Sequence, residues 1–309
     1  FGTHGYEPYS ASTIFERRFG DCKDKSILLC TMLAEIGVHA HPVLIRARYV
    51  QPNEPLDAPL VEHFNHCIAF APATADRPGM YLDCTADLNP IEYLRVDDQG
   101  ARVLHVDQGQ ASLHDIPYAP PAENALVRRY DVKLDLQGNA EVALLDESVG
   151  AFGVGLRTNY SGEKGDIAKR LERDLRESFA QIDVRDVKTS DLEDLGAKAR
   201  LEAHFQAKNL WAAQENGATL RLVFDELGLS GLAVEPRDSR EREIVLDRPL
   251  GHDETIVYRL PEGARALELP PPVEVVVPGL VSYRQSLTAV EGGVEVHRRF
   301  ELQTRRVAL

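Results

Sequence analysis

The sequence predicts an α+β protein with two domains, a mixed domain over residues 1–118 and a mainly β-sandwich domain with one helix over residues 119–309. Three observations indicate this organisation. A strong helix pattern follows Asp21. Residues 116–122 contain three prolines and are typical of a linker. Beyond them, short strand-like runs alternate with Gly and Pro turns, as in a sandwich.

The composition is that of an ordinary globular protein, with 43% hydrophobic and 27% charged residues in a chain of 309. A net charge of −14 argues against a nucleic-acid binder, which would present a basic face. No run approaches the roughly 18 apolar residues of a membrane span. The four cysteines include no CxxC pair, so zinc-ribbon spacing is absent. Their number and positions are compatible with an oxidising or a reducing compartment.

The helix expected after Asp21 is the central element of the first domain. Asp21 is a good N-cap, and Asp24 supplies the reciprocal partner of a capping box. The following run is apolar almost all round and Gly37 supplies a left-handed stop, which predicts a buried helix of three to four turns. Cys22 lies at the first helical position, where free amides and the helix dipole favour a thiolate. A small buried residue at a helix start is the alternative interpretation.

The neighbouring segments predict a short helix, a strand and a loop. Residues 9–18 indicate a helix capped by Ser10 or Ser12. Residues 38–49 form a β-type run, and residues 51–60 carry three prolines and are expected to be a loop.

Residues 63–70 and 80–85 predict two strands of an antiparallel hairpin. If His66 lies opposite Asp83, the alternation of side chains along a strand directs both to one face. The two residues can then form a histidine–carboxylate pair.

In that register Cys67 and Cys84 fall on the other face as diagonal neighbours. Such neighbours are about 7–8 Å apart, which is too far for an easy disulfide. We therefore expect two reduced, buried thiols.

Cys22, His66 and Asp83 together make a candidate catalytic triad. The histidine would take the thiol proton, and the aspartate would orient the imidazole and stabilise its charged form. The backbone N–H of Cys22 is a candidate oxyanion donor. Each residue alone has an ordinary alternative, namely a core thiol, a strand histidine and a turn aspartate. The joint arrangement favours the triad.

The second domain is expected to be rich in strands. A strand-like run at 101–106 still belongs to the first domain, and beyond the linker alternating residues at 127–136 and 140–147 flank a turn. One helix is predicted from an apolar stripe with a spacing of four, made up of Ile167, Leu171, Leu175 and Phe179. Further strand-like runs lie at 183–189, 198–207, 218–224, 241–247, 254–260, 273–277, 280–289 and 293–303.

A metal site is not predicted. His39 and His41 share one face of a strand, and His63 or Glu62 would be the nearest further ligands, but no cysteine or acidic pattern completes the set. No calcium loop occurs either, and no cofactor is expected.

Three glycines at 150, 153 and 155 run in the reverse order to a dinucleotide-binding fingerprint. They are expected to serve turns or close packing.

Four segments resemble a transglutaminase-like domain. They are GYEP at 5–8, RFGDCKDKS at 18–26, FNH at 64–66 and YLDCT at 81–85. The resemblance is to bacterial multidomain proteins in which this domain lies between β-rich domains of uncharacterised function. RERE at 240–243, LPEG at 260–263 and LPPP at 269–272 are similar to the trailing β-rich domain.

The resemblance implies a papain-like fold with Cys22 as nucleophile, His66 as base and Asp83 as orienting residue. The implied reaction is thiol-dependent acyl transfer at the amide of a protein or peptide through a thioester, with water or an amine as acceptor. Cys84 departs from the family, where a proline is common. The alternative from another class is a structural or binding module on this scaffold with an idle triad.

The resemblance also implies a family helix and β-rich domain upstream of Phe1. These would make the present domain N-terminally truncated, and a second oxyanion donor would be expected in the missing part. An extracytoplasmic bacterial location, in the periplasm or cell envelope, is implied as well, with the cytoplasm left open.

Overall fold

The structure is a computed structural model. It describes residues 7–47, 60–176, 178–179, 181–214, 217–220, 241, 243–246, 248–266 and 268–307. The chain divides into two compact units, Phe1–Ala119 and Pro120–Leu309. The described elements make an α+β chain of mainly β content with four α-helices. The proline-containing loop expected at 51–60 lies almost wholly outside the described residues.

The first unit is a five-stranded antiparallel sheet with two helices. The elements are α1 (Ala11–Arg17), α2 (Cys22–Glu35), β1 (His41–Arg46), β2 (His66–Ala71), β3 (Met80–Leu82), β4 (Arg102–Asp107) and β5 (Gln110–Asp115). The sheet order is β3-β2-β1-β4-β5, and a short 3₁₀ turn precedes β2.

Both helices of this unit begin at predicted caps. Ser10 caps α1, since its hydroxyl accepts the N–H of Thr13. The capping box at α2 is complete, with Asp24 N donating to Asp21 at 3.3 Å and Asp21 N donating to Asp24 at 3.4 Å. Gly37 has a φ of +76° and stops the helix as expected.

The prediction that α2 is buried all round is wrong. The helix packs against β1 and β2, so the sheet covers only one of its sides. Its buried residues are Asp24, Ser26 and Cys30, whereas Met32 is exposed in spite of its apolar side chain.

The hairpin register also differs from the prediction. β2 and β3 pair Ala69 with Leu82 and Phe70 with Tyr81, and β3 ends before Asp83. Continuing this register would set residue 68, not His66, opposite Asp83. The shift is two residues, an even number, so both side chains still belong to one face.

The second unit is built on an eight-stranded sheet. The elements of the unit are β6 (Ala125–Leu134), β7 (Ala140–Asp146), α3 (Ala151–Tyr160), α4 (Lys164–Asp174), β8 (Ile182–Thr189), β9 (Leu201–Ala207), β10 (Trp211–Gln214), β11 (Gly217–Leu220), β12 (Ile244–Val245), β13 (Leu250–Arg259), β14 (Val273–Val277), β15 (Val281–Val290), β16 (Gly293–Leu302) and β17 (Arg306–Val307). The strand order in the large sheet is β14-β15-β16-β13-β6-β7-β9-β8, and the β6–β13 pair is parallel.

The predicted sandwich with one helix is not what the described residues form. One face of a single large sheet is covered by two helices, and Leu156 of α3 and Leu171 of α4 join the sheet core. Helices thus bury the apolar surface that a second sheet would bury in a sandwich. Residues 221–224 of one expected strand lie outside the described part of the chain.

Two of the three glycines serve α3, a helix that the sequence did not predict. Gly150 is its N-cap with a φ of +63°, and a Cβ at Gly153 would lie 2.8 Å from Ser148 O. Turn and close-packing roles are thereby confirmed at these two positions, whereas Gly155 faces open space. None of the described helices combines the length and apolar character needed to cross a membrane.

Candidate active site

The three residues of the candidate triad lie where secondary-structure elements meet in the first unit. Cys22 is the first residue of α2, His66 is the first residue of β2, and Asp83 directly follows β3. The hydroxyl of Ser26 joins helix to strand beside them, lying 2.8 Å from Cys22 O and 3.0 Å from Cys67 O. Helix packing on the sheet therefore brings the thiol to the histidine.

Asp83 is fixed by several contacts. Its side chain is 1% exposed, and Oδ2 lies 3.2 Å from His66 Nε2. Oδ1 accepts the N–H of Thr85 at 2.8 Å and its hydroxyl at 2.6 Å, while Arg95 Nη1 is 3.9 Å from Oδ2. Since Nε2 of His66 is engaged by Asp83, Nδ1 is the ring nitrogen left to face the Cys22 thiol.

The four thiols of the chain differ in electrostatics. A hydrogen bond with His66 is the main factor that lowers the pKa of Cys22, and it outweighs the opposing effect of burial. Burial raises the pKa of Cys30 to about 11 and that of Cys67 to about 12, and it also raises the pKa of Cys84. Cys22 is therefore the cysteine with the strongest tendency to form a thiolate.

The histidine and the aspartate are shifted in opposite directions. Burial acts to lower the pKa of His66, but hydrogen bonds with Asp83 and Cys22 outweigh it and raise the pKa to about 9. Burial acts to raise the pKa of Asp83, but hydrogen bonds from His66 and Thr85 hold it well below its usual range. At neutral pH these shifts favour a thiolate beside an imidazolium.

Asp98 is a residue of this site that sequence reasoning missed. It is 0% exposed, and among the described residues no N–H or hydroxyl group donates to either of its carboxyl oxygens, so that its polar neighbour is the carboxylate of Asp83. One of these oxygens lies within 4.8 Å of ligand atoms of both His66 and Asp83. Burial, and then the charge of Asp83, raises the pKa of Asp98 to about 7. No spacing or motif in the sequence marks this position.

All four cysteines are free thiols in the structure, as expected for Cys67 and Cys84. Cys67 is buried, but Cys84 is only half-buried, so that part of the prediction is wrong. Cys84 lies in the turn after β3 and therefore has no strand pairing to cover it.

His39 and His41 lie together, but their expected companions do not join them. Among the described residues their ring nitrogens gather with Asp107, and the three ligand atoms lie within 4.8 Å of one another. His63 and Glu62 are not members of this group. Strand pairing between β1 and β4 supplies the aspartate, which sequence spacing alone does not show.

Comparisons with known proteins do not supply a family. No family model matches the chain, and no curated protein matches it. A solved structure of a candidate protease from Parabacteroides distasonis is similar, with 12% identity and a TM-score of 0.49, and the match covers 96% of this chain and 41% of that one. The present chain thus spans less than half of that protein.

Proposed function

We propose that the first unit is a transglutaminase-like, papain-like thiol enzyme that transfers an acyl group from an amide. The observation that carries the proposal is the selective activation of one thiol. Cys22 alone among four cysteines has a lowered pKa, and the group responsible is His66, which is itself held by Asp83. A nucleophile, a base and an orienting carboxylate are the groups that this chemistry needs.

In the first half of the reaction, the Cys22 thiolate attacks the amide carbonyl carbon. The N–H of Cys22 at the free end of α2 stabilises the negative oxygen that forms. The C–N bond then breaks, and the His66 imidazolium gives its proton to the departing amine or ammonia. A thioester on Cys22 remains.

In the second half, His66 takes a proton from the acceptor as it attacks the thioester carbonyl. The C–S bond breaks, and Cys22 leaves as the thiolate. Water as acceptor gives a carboxylic acid, and a primary amine gives a new amide. Asp83 keeps the imidazole in one orientation throughout and stabilises its charged form.

The substrate class that this proposal assigns is a protein or peptide amide, and the compartment is extracytoplasmic. Hydrolysis and transamidation share the first half of the mechanism, so the triad serves either outcome. The acceptor is decided by which group reaches the thioester first. The second unit is assigned an accessory role.

The test is turnover of a glutamine-containing peptide in the presence of a fluorescent primary amine. Ammonia release, amine incorporation and backbone cleavage are measured in parallel by mass spectrometry. We expect at least one of these activities in the wild type and in Cys84→Ala, which removes a half-buried thiol of raised pKa. Cys22→Ala should abolish it.

Turnover that survives in Cys22→Ala would exclude Cys22 as the nucleophile. No turnover, combined with ordinary thiol reactivity at Cys22, would favour a binding module with an idle triad. The two outcomes therefore distinguish a wrong assignment of the nucleophile from a triad that is not used in catalysis.

A further inference from the structure

A second cluster of polar side chains lies at the other end of the sheet face that carries His66. The antiparallel strands β1 and β4 pair Val43 with His105. Two residues beyond this pair, towards the start of β1 and the end of β4, lie His41 and Asp107. The cluster is completed by His39, whose Nε2 is 3.2 Å from Asp107 Oδ2. His41 Nδ1 is 3.7 Å from the same oxygen.

The sheet fixes two of these three side chains. His41 belongs to β1, and its side chain is 9% exposed. Asp107 is the last residue of β4, and Gln108 and Gly109 connect it to β5 with φ angles of +47° and +78°. Two consecutive positive φ angles are typical of the tight hairpin turn that leaves little freedom at a strand end.

One buried ring nitrogen of the cluster lacks a hydrogen-bond partner among the described residues. Nδ1 of His41 has no hydrogen-bond partner among the described residues, because 3.7 Å from a carboxylate oxygen is beyond hydrogen-bond reach. The other nitrogen of this ring, Nε2, lies 3.1 Å from His105 Nδ1, and His105 Nε2 lies 2.9 Å from the hydroxyl of Tyr81.

These distances suit a chain in which His41 Nε2–H donates to His105, and His105 Nε2–H donates to the hydroxyl oxygen of Tyr81. Nδ1 of His41 then carries a lone pair that faces the carboxylate of Asp107. A lone pair and a carboxylate that face each other are stabilised by a cation between them.

We propose that His39 Nε2, His41 Nδ1 and Asp107 Oδ2 bind a divalent transition-metal ion, and that this ion is zinc. Zinc takes imidazole and carboxylate ligands at about 2.0–2.2 Å in a tetrahedron, in which ligand atoms are about 3.3 Å apart. The observed separations of 3.2 and 3.7 Å are close to this value. One ring nitrogen of His39 lies within 4.8 Å of one of His41, and the exposed side chain of His39 has room to rotate and shorten this distance.

The surroundings match those of a metal-binding histidine. Such a ligand donates its second ring N–H to a neighbouring acceptor, which fixes the tautomer and the ring orientation. The path from His41 through His105 to Tyr81 does this. The ring of Phe70 lies 5.6 Å from that of His41 and forms an apolar wall. His39 is 57% exposed and Asp107 36% exposed, so solvent reaches the fourth ligand position.

The proposed site is separate from the candidate triad. β2 pairs Phe70 with His41, and its first residue, His66, with Ile45. Four residues along a strand correspond to about 13 Å. The role that follows is to join the segment before β1 to the end of β4, and so to stabilise the sheet.

The experiment is a zinc titration of metal-stripped Cys22→Ala protein, since this background removes the triad thiol as a competing ligand. Calorimetry gives stoichiometry and affinity, and thermal unfolding gives the stabilisation. We expect one zinc per chain with a micromolar or lower Kd and a Tm increase of about 3 °C or more at saturating zinc. Cobalt in place of zinc should give the visible absorption of a tetrahedral ion.

His39→Ala and Asp107→Asn should each weaken binding at least tenfold. His297→Ala is the matched control, because His297 Nε2 also lies beside an aspartate, 2.9 Å from Asp253 Oδ1, without belonging to a three-ligand group among the described residues. The control should bind zinc unchanged. Absence of binding, or binding that survives both His39→Ala and Asp107→Asn, would overturn the proposal.

Discussion

Replacement of Asp98 by Asn should stabilise the protein in a way that depends on pH. The Asp98 carboxyl is fully buried beside Asp83, which remains ionised because its pKa is held low. Burial, together with this neighbouring charge, raises the pKa of Asp98 from 3.8 to about 7. Asn has nearly the same shape as the protonated acid, is neutral at every pH, and carries N–H groups that can face the Asp83 carboxylate.

The raised pKa of Asp98 determines how the stability of the wild type changes with pH. A carboxyl with a raised pKa in the folded state gives its full contribution below its unfolded pKa and loses it as the pH rises through the folded value. The difference between 3.8 and about 7, at about 1.4 kcal/mol per pH unit, corresponds to about 4 kcal/mol. Asp98→Asn avoids this loss. The free energy of unfolding of the variant should match that of the wild type near pH 4. The difference in favour of the variant should grow as the pH rises to about 7 and reach as much as ~4 kcal/mol above that pH.

The assay is urea unfolding of the wild type and Asp98→Asn at several values between pH 4 and 8.5, followed by circular dichroism. Asp97→Asn is the matched control, because the adjacent Asp97 forms a half-exposed ion pair with Arg95, and such a pair is expected to contribute little to the free energy of unfolding. A gain for Asp98→Asn that is absent, or the same at every pH, would refute the assigned protonation of this carboxyl.

The remaining predictions concern the triad, the thiols and the helix cap. His66→Ala should lower kcat/KM for amide turnover at least about 10²-fold, and Asp83→Asn should have a milder effect because an orienting side chain remains; equal losses would argue against these roles. Cys67 and Cys84 should stay unbridged, so a loss of two mass units between them under non-reducing denaturation would be contradictory. Asp24→Ala should lower the free energy of unfolding by about 1–2 kcal/mol, since it removes half of the capping box and a buried acceptor; urea unfolding would test this, and no change would disprove it.

Local signals explain what could be predicted of the site. The helix start depends on Asp21 and Asp24, three residues apart, so the position of Cys22 is visible in a short stretch of sequence. The shared face of His66 and Asp83 depends only on even spacing, so the two-residue error in register did not change it.

Contacts between distant segments explain what was missed. Asp98 lies in a loop, and only the folded chain brings its carboxyl beside Asp83. Asp107 reaches His41 through the pairing of β1 with β4, which are separated by more than fifty residues. In the second unit, the sequence does not say whether helices or a second sheet cover an apolar face, and the glycines of α3 obscured its helical pattern.

The rate at which iodoacetamide alkylates Cys22 at pH 6 tests the central claim most directly. An ordinary thiol with a pKa of about 8.5 is almost fully protonated there, whereas the hydrogen bond with His66 lowers the pKa of Cys22 and so increases the fraction of this thiol that is ionised. Mass spectrometry of the native protein should show Cys22 reacting about tenfold or more faster than free cysteine, ahead of the other three thiols, and His66→Ala should remove this advantage. A rate at Cys22 equal to or below that of free cysteine, unchanged by His66→Ala, would contradict the claim that this thiol is activated for acyl transfer.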